Sequence, residues 1–228
     1  MARKRVVRGS LLTGDERARI KRIGEPIALF LGRLGFSPDA LTLVGFSIVL
    51  FAAAAAAAGG WVLAALILIA GTLFDGLDGT LARATNRVRP FGAFLDSSLD
   101  RASEAVIYAG ITAGAAMSTT TLSGSGHLEV VGLATLALGT GSLVSYVRAR
   151  GEGLGVVADN GLAQRGERAV MLIIGLLAGG LINATWLAGA LALICVTSTI
   201  TVVQRVLYIR DALESGARQP RAAKRRAH

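Results

Sequence analysis

One cysteine, two histidines and few charges are spread over 228 residues, and each scarcity excludes a class of protein. A single Cys195 allows neither an intramolecular disulfide framework nor a Cys-based zinc site. His127 and His228 are too far apart in sequence to form a His-cluster metal motif. Charged residues make up 17% of the chain, whereas a soluble domain carries about 25%. Disorder is excluded too, because it requires low hydrophobicity with high net charge, and 53% of this chain is hydrophobic. What the sequence does have is a mean hydropathy of +0.58 combined with a formal net charge of +9. That pairing describes an integral membrane protein with a basic surface.

A bilayer-crossing helix needs roughly 20 predominantly apolar residues. Such stretches are expected near Ala40–Ala58, Trp61–Ala82, Phe91–Met117, Val130–Val147, Ala169–Ile182 and Trp186–Tyr208. The expected fold is therefore all-α, with six transmembrane helices. Of the 24 basic residues, nine precede the first span and seven follow from Arg205 onward. Four surround the junction of spans two and three, and four surround that of spans four and five. None falls in the other three connections. By the positive-inside rule both termini are then cytoplasmic, which an even number of spans also requires. The charge is thus accounted for by topology, and nucleic acid is not an expected partner.

The N-terminus does not read as a signal peptide, since its basic stretch continues past Arg22 without a following apolar run. Ile20, Ile23, Ile27, Phe30 or Leu31, and Leu34 recur at helical steps, with Arg17, Arg19, Lys21 and Arg22 between or before them. This is an amphipathic juxtamembrane helix, lying either on the membrane surface or on the protein's own cytoplasmic face. The expected organisation is a basic cytoplasmic segment over 1–38, a six-helix catalytic domain over 39–210, and a basic tail over 211–228 that touches anionic lipid. The alanine run Ala52–Ala58 reads as close helix packing. Cys195 reads as a small core residue.

The chemistry is concentrated in Asp75, Asp78, Asp96 and Asp100. The first pair is spaced i, i+3 and the second i, i+4, so each projects onto one helix face. A short polar turn joins the two helices, making them antiparallel neighbours. Both pairs lie near that turn and can face each other at similar depth. An intramembrane Asp costs about 2.5–3.5 kcal/mol at a helix centre, and four together repel. Divalent cations relieve both penalties, and carboxylate oxygens suit Mg²⁺ or Mn²⁺ rather than zinc. Four carboxylates can bridge two ions, as in two-metal phosphoryl chemistry. The competing structural reading is a rim of helix-end acids paired with Arg83, Arg87, Arg89 and Arg101. That reading does not account for two face-aligned pairs, nor for Glu104 one turn deeper. Gly79 permits close approach of a substrate or ion to the backbone. Arg83 is placed to hold a phosphate that also meets the metals.

The pattern Asp75-x-x-Asp78-Gly79-x-x-Ala82-Arg83-x8-Gly92-x3-Asp96-x3-Asp100 resembles the signature of the CDP-alcohol phosphotransferases. These are six-helix membrane enzymes, typically homodimers, in which an incoming alcohol displaces CMP from a CDP-linked lipid or alcohol. The resemblance implies that Asp75, Asp78 and Asp96 bind two divalent cations. It implies that Asp100 binds one of them and acts as general base, and that Gly79 and Arg83 contact the CDP group. The family often has Pro-Asn-x-x-Thr at the start of span one as a nucleotide contact. Here that stretch is Pro38-Asp39-Ala40-Leu41-Thr42, so Asp39 and Thr42 carry either that role or simple helix capping.

Downstream, Ser145-Tyr146-Val147-Arg148-Ala149-Arg150, then Arg165-Gly166-Glu167-Arg168, then Gln204-Arg205 approach the same face. An arginine cluster beside a metal site reads as a pocket for a second, anionic substrate. The arrangement is similar to the actinobacterial phosphatidylinositol-phosphate synthases. That likeness implies CDP-diacylglycerol as donor and inositol phosphate as acceptor. It assigns Ser145, Arg148, Arg168 and Arg205 to the acceptor phosphate, with Arg165 nearby. A phosphatidylglycerol-phosphate synthase using glycerol 3-phosphate is the alternative within the family. A cation transporter is the alternative outside it, because intramembrane acids often mark ion paths.

Overall fold

The structure is a computed structural model that describes residues 25–117 and 126–216, all of whose regular structure is helical. Seven helices follow one another: α1 (25–33), α2 (Pro38–Ala57), α3 (Trp61–Ala84), α4 (Pro90–Ala116), α5 (Gly126–Gly153), α6 (Arg165–Leu181) and α7 (Ala184–Glu214). The last six stand where the apolar stretches place them. Several run past their apolar parts, α5 to Gly153 and α7 to Glu214. Four of them, α2, α3, α5 and α7, are long and apolar enough to cross a membrane. The other two are set apart by their chemistry. α4 carries Asp96, Asp100, Arg101 and Glu104 along its length. α6 has 17 residues, spanning about 25 Å at 1.5 Å per residue, and opens with Arg165, Glu167 and Arg168.

Local sequence sets the helix ends. The Ser37 hydroxyl accepts from the Ala40 N–H at 3.1 Å, and Pro38 occupies the first turn of α2. Pro90 does the same for α4. α6 begins with a capping box in which the Gln164 N–H donates to the Glu167 carboxylate at 2.7 Å. Gly155, at φ +83°, turns the chain out of α5, a conformation open to glycine at no steric cost. The following segment, 154–164, folds back against α7. There the Thr201 hydroxyl accepts from the Leu162 and Ala163 N–H groups at 3.1 and 2.9 Å.

The alanine run behaves as packing surface. Ala52, Ala53 and Ala56 are buried, and α4 presents Gly110 and Gly114 to them. A Cβ at either glycine would collide with the Ala53 or Ala56 carbonyl, so the two backbones approach as closely as small residues permit. This seam fixes α4, with its acids, against α2. Cys195 packs on the core, its Sγ 3.6 Å from the Leu133 carbonyl.

Residues 20–24 of the expected amphipathic helix lie outside the described residues, as does 217–228, which holds most of the basic tail. The described part, α1, divides its apolar residues between two surroundings. Ala28 and Leu31 pack with Leu41, Leu77 and Leu81 of α2 and α3. Ile27, Phe30 and Leu34 stay exposed. The helix is therefore docked on the bundle and also presents an apolar outer side.

Candidate metal centre and flanking chambers

Three of the four signature carboxylates converge. Asp75 of α3 meets Asp96 and Asp100 of α4, with one oxygen from each lying within 4.8 Å of the others. Oxygens on one octahedral Mg²⁺ lie about 2.1 Å from the ion, hence roughly 3–4 Å from each other, within a small side-chain rotation of this spread. The donor set is all carboxylate oxygen, which fits a hard divalent cation and not zinc.

Asp78 is placed differently from the other three. It is only 7% exposed and, although it lines one cavity together with Asp96, it is not among the three whose oxygens cluster. It accepts from the Thr42 hydroxyl at 2.6 Å and from the Gly79 N–H. Thr42 is itself tied to the Pro38 carbonyl at 3.1 Å. The link between Thr42 and Asp78, 36 positions apart, ties the start of α2 to the site. It could not be read from either motif alone.

The rim-pairing alternative is not what the structure shows. Among the described residues, Arg83 and Arg87 form no ion pair, and Arg101 approaches Asp100 only to 3.9 Å. Arg89 pairs with Asp39, not with the acids of the centre, at 2.7 Å. The cation on the acids comes instead from α6. Arg165 Nη1 lies 2.5 Å from Asp75 Oδ2 and 2.8 Å from Asp100 Oδ1.

Of the cavities that reach the centre, two hold the remaining residues singled out by the sequence. One, with an empty volume of about 730 Å³, is lined by Asp39, Thr42, Asp78, Gly79, Arg83, Arg89 and Asp96. Gly79 faces the Arg83 guanidinium so closely that a Cβ would sit 3.3 Å from Nη1. The other, of about 1160 Å³, is lined by Asp96, Asp100, Glu104, Ser145, Arg148, Arg165, Arg168 and Arg205. All five residues that sequence assigned to an anionic second substrate are therefore in one chamber, beside Asp100.

Their partners sort them into distinct roles. Arg168, 3% exposed, is anchored to Glu104 and donates to the Ala163 carbonyl at 3.0 Å. Glu104 lies one turn from Asp100 on α4, and that i+4 spacing sets it on the same helix face as the acids of the centre. Arg148 pairs with Glu152 and Asp159, each at 2.9 Å. Arg205, 4% exposed, donates only to backbone carbonyls, of Asn160 at 2.9 Å and of Val144 at 2.7 Å. It has no ion pair among the described residues. A buried charge ordinarily requires an opposite charge, so this guanidinium leaves the chamber with an unmet demand for an anion.

Residues 36–203 match the model of the family described as CDP-alcohol phosphatidyltransferase. The chain is 38% identical over 197 residues to the archaetidylinositol phosphate synthase of Methanothermobacter thermautotrophicus, covering 86% of this chain and 92% of that one. It is 34% identical over 200 residues to the phosphatidylinositol phosphate synthase of Mycobacteroides abscessus, covering 86% and 87%. A crystal structure of the Mycobacterium tuberculosis phosphatidylinositol phosphate synthase with CDP-DAG bound superposes with a TM-score of 0.74 at 30% identity, covering 82% of this chain and 94% of that one. A second crystal structure of that enzyme, in complex with manganese and citrate, gives 0.74 at 29%, covering 82% and 88%. The likeness thus extends to archaeal as well as actinobacterial proteins. With the match spanning the acidic centre and most of both chambers, the chain belongs to the CDP-alcohol phosphatidyltransferase family.

Proposed function

We propose that this transferase moves the phosphatidyl group of a CDP-linked lipid to inositol phosphate, releasing CMP and leaving a phosphatidylinositol phosphate. Family membership makes the chain an enzyme, and the cation-transporter reading is dropped. The observation that carries the acceptor is Arg205. A buried guanidinium satisfied only by carbonyls, in a chamber shared with Ser145, Arg148 and Arg168, suits a phosphate-bearing acceptor. Free inositol or serine would leave that charge uncompensated.

In this reading all six long helices cross the membrane, both termini are cytoplasmic, and the site opens at the cytoplasmic face of the cell membrane. The smaller chamber takes the CDP group, with Asp39, Thr42, Gly79 and Arg83 lining it. Asp75, Asp78, Asp96 and Asp100 hold two divalent cations, Mg²⁺ or Mn²⁺. When bound, these supply charge neutralisation at the pyrophosphate and at the departing CMP. Asp96 lines both chambers, so donor and acceptor meet at the carboxylates. Asp100 takes the proton of the attacking acceptor hydroxyl as its oxygen bonds to the β-phosphorus. The bond from that phosphorus to the CMP oxygen breaks, and CMP leaves as the monophosphate. The enzyme works as a homodimer, as is usual in the family.

The test is CMP release by purified protein with CDP-diacylglycerol and a panel of inositol 1-phosphate, glycerol 3-phosphate, free inositol and serine. Parallel assays with CDP-archaeol test the archaetidyl donor that would yield the product named for the archaeal relatives. Turnover is expected with inositol 1-phosphate. Turnover with glycerol 3-phosphate alone would replace the acceptor, and no CMP release with any acceptor would overturn the reading.

A further inference from the structure

Arg165 departs from the role that its neighbours suggest. It lines the larger chamber with Arg148, Arg168 and Arg205. Yet its partners are two of the three carboxylates of the metal triad, Asp75 and Asp100. A divalent cation bound there draws on the same carboxylates, and two cations cannot share them at contact distance without strong repulsion. The other three arginines have anchors of their own: Glu104 and a carbonyl for Arg168, two carbonyls for Arg205, Glu152 and Asp159 for Arg148. Of these four arginines, Arg165 is the one tied to the metal site, where it reaches two of the three clustered carboxylates.

We propose that Arg165 is an internal cation that holds Asp75 and Asp100 until a divalent ion replaces it, and that the freed guanidinium then completes the acceptor-phosphate pocket. The inference rests on the metal-site reading above. The geometry supplies both end points. The backbone at Arg165 is the first residue of α6, fixed by the capping box of Gln164 and Glu167, so the movement is confined to the side chain. The chamber that Arg165 also lines already holds Arg205, a buried guanidinium with no ion pair among the described residues. Metal and anion therefore bind with positive coupling. By linkage, whatever the metal does for anion affinity the anion does for the metal. Arg165 is a positioning residue, acting on the reaction through the order in which the two ligands are secured.

The experiment is a Mn²⁺ titration of the purified, lipid-free-donor protein, read by electron paramagnetic resonance of unbound Mn²⁺, with and without sulfate as the anion probe. In the wild type, saturating sulfate is expected to tighten Mn²⁺ binding by roughly five- to tenfold, at the lower end of usual coupling. In Arg165→Gln, Mn²⁺ should bind about tenfold tighter without sulfate, because its competitor is gone, and sulfate should then change it by less than about twofold. Arg165→Lys, which keeps the charge but not the two-pronged contact, should fall between them. Arg148→Gln should weaken sulfate binding yet keep the coupling at saturation. Equal Mn²⁺ affinity in the wild type and Arg165→Gln would overturn the proposal. So would a sulfate effect of undiminished size in Arg165→Gln, which would mark a through-space field in place of an exchanged side chain. Absence of Mn²⁺ binding in wild type and all variants alike is a separate result that would overturn the metal-site reading and, with it, this inference.

Discussion

The two chambers that share Asp96 are built on different plans. The smaller draws its lining from residues 38–96, in α2, α3, the start of α4 and the turn before it, and its arginines, Arg83, Arg87 and Arg89, are all solvent-exposed. Asp39 answers Arg89, and Thr42 answers Asp78. The larger draws on α4, α5, α6 and α7, reaching from Asp96 to Arg205, and retains a buried cation without a counter-ion. An exposed arginine keeps its charge solvated and can lack an ion partner at little cost. A chamber with surplus buried charge selects for an anion. In the proposed function the donor's CDP group takes the first chamber and the anionic acceptor the second.

The largest effect is expected at the boundary. Asp100→Asn keeps the size of the side chain and removes the proton acceptor. Turnover measured as CMP release should fall by about 10²–10⁴, the range of a general base. Donor-lipid binding and the thermal midpoint should hold. Activity within a few-fold of the wild type would remove the assignment of the base and leave the two chambers without a common catalytic group.

Next comes the larger chamber alone. Arg205→Gln removes the unpaired charge and should raise KM for inositol 1-phosphate by about 10–100-fold, equivalent to a charged hydrogen bond of roughly 1.5–3 kcal/mol. KM for the CDP-lipid should not move. The same substitution strips the Asn160 and Val144 carbonyls of a donor, at about 1–3 kcal/mol for each group left unsatisfied. A lowered thermal midpoint is therefore expected, and Arg205→Lys should recover part of both losses. An equal rise in the two KM values would show that the chambers are not independent.

The contrast between the chambers also explains what could be read in the sequence. Helix positions followed from apolar length, and i, i+3 and i, i+4 spacing on two adjacent helices brought four Asp toward one place, of which Asp78 turns to Thr42 instead of joining the cluster. Those are local signals, and the smaller chamber is mostly local. In the larger one, sequence identified the arginines but not what each touches. Arg165 and Arg168 differ by three positions on one helix, yet one reaches Asp75 and the other Glu104. The fold-back of 154–164 onto Thr201, which presents the Asn160 carbonyl to Arg205, leaves no periodic pattern at all. Pairings between helices distant in the chain depend on packing, and one sequence does not encode them in any short-range spacing.

The smallest expected effect belongs to the smaller chamber, at the one motif position where this chain departs from the usual Asn. Asp39 either contacts the nucleotide as that Asn would, or serves mainly to hold Arg89 across the chamber's mouth. The ion pair is 2.7 Å long but largely solvent-exposed on the Arg89 side, so it is worth about 0.2–1 kcal/mol. That corresponds to no more than about a fivefold change in affinity. Asp39→Asn keeps a side chain of the same shape that can still bond to a base while it breaks the ion pair. Arg89→Ala breaks the pair from the other end and leaves Asp39 in place. If the pair holds the chamber, both substitutions should raise KM for the CDP-lipid by the same two- to fivefold margin, with no change for the acceptor. Exchanging the two residues, Asp39→Arg with Arg89→Asp, should then restore it. If Asp39 contacts the nucleotide directly, Arg89→Ala should be nearly silent and the exchange should fail. Because Asp39 and Gly92 adjoin, with a built Cβ at Gly92 lying 3.4 Å from Asp39 Oδ1, the chamber has little slack for a displaced side chain. The failed exchange would then carry a penalty larger than either single change, which keeps the two roles distinguishable even when the single effects are small.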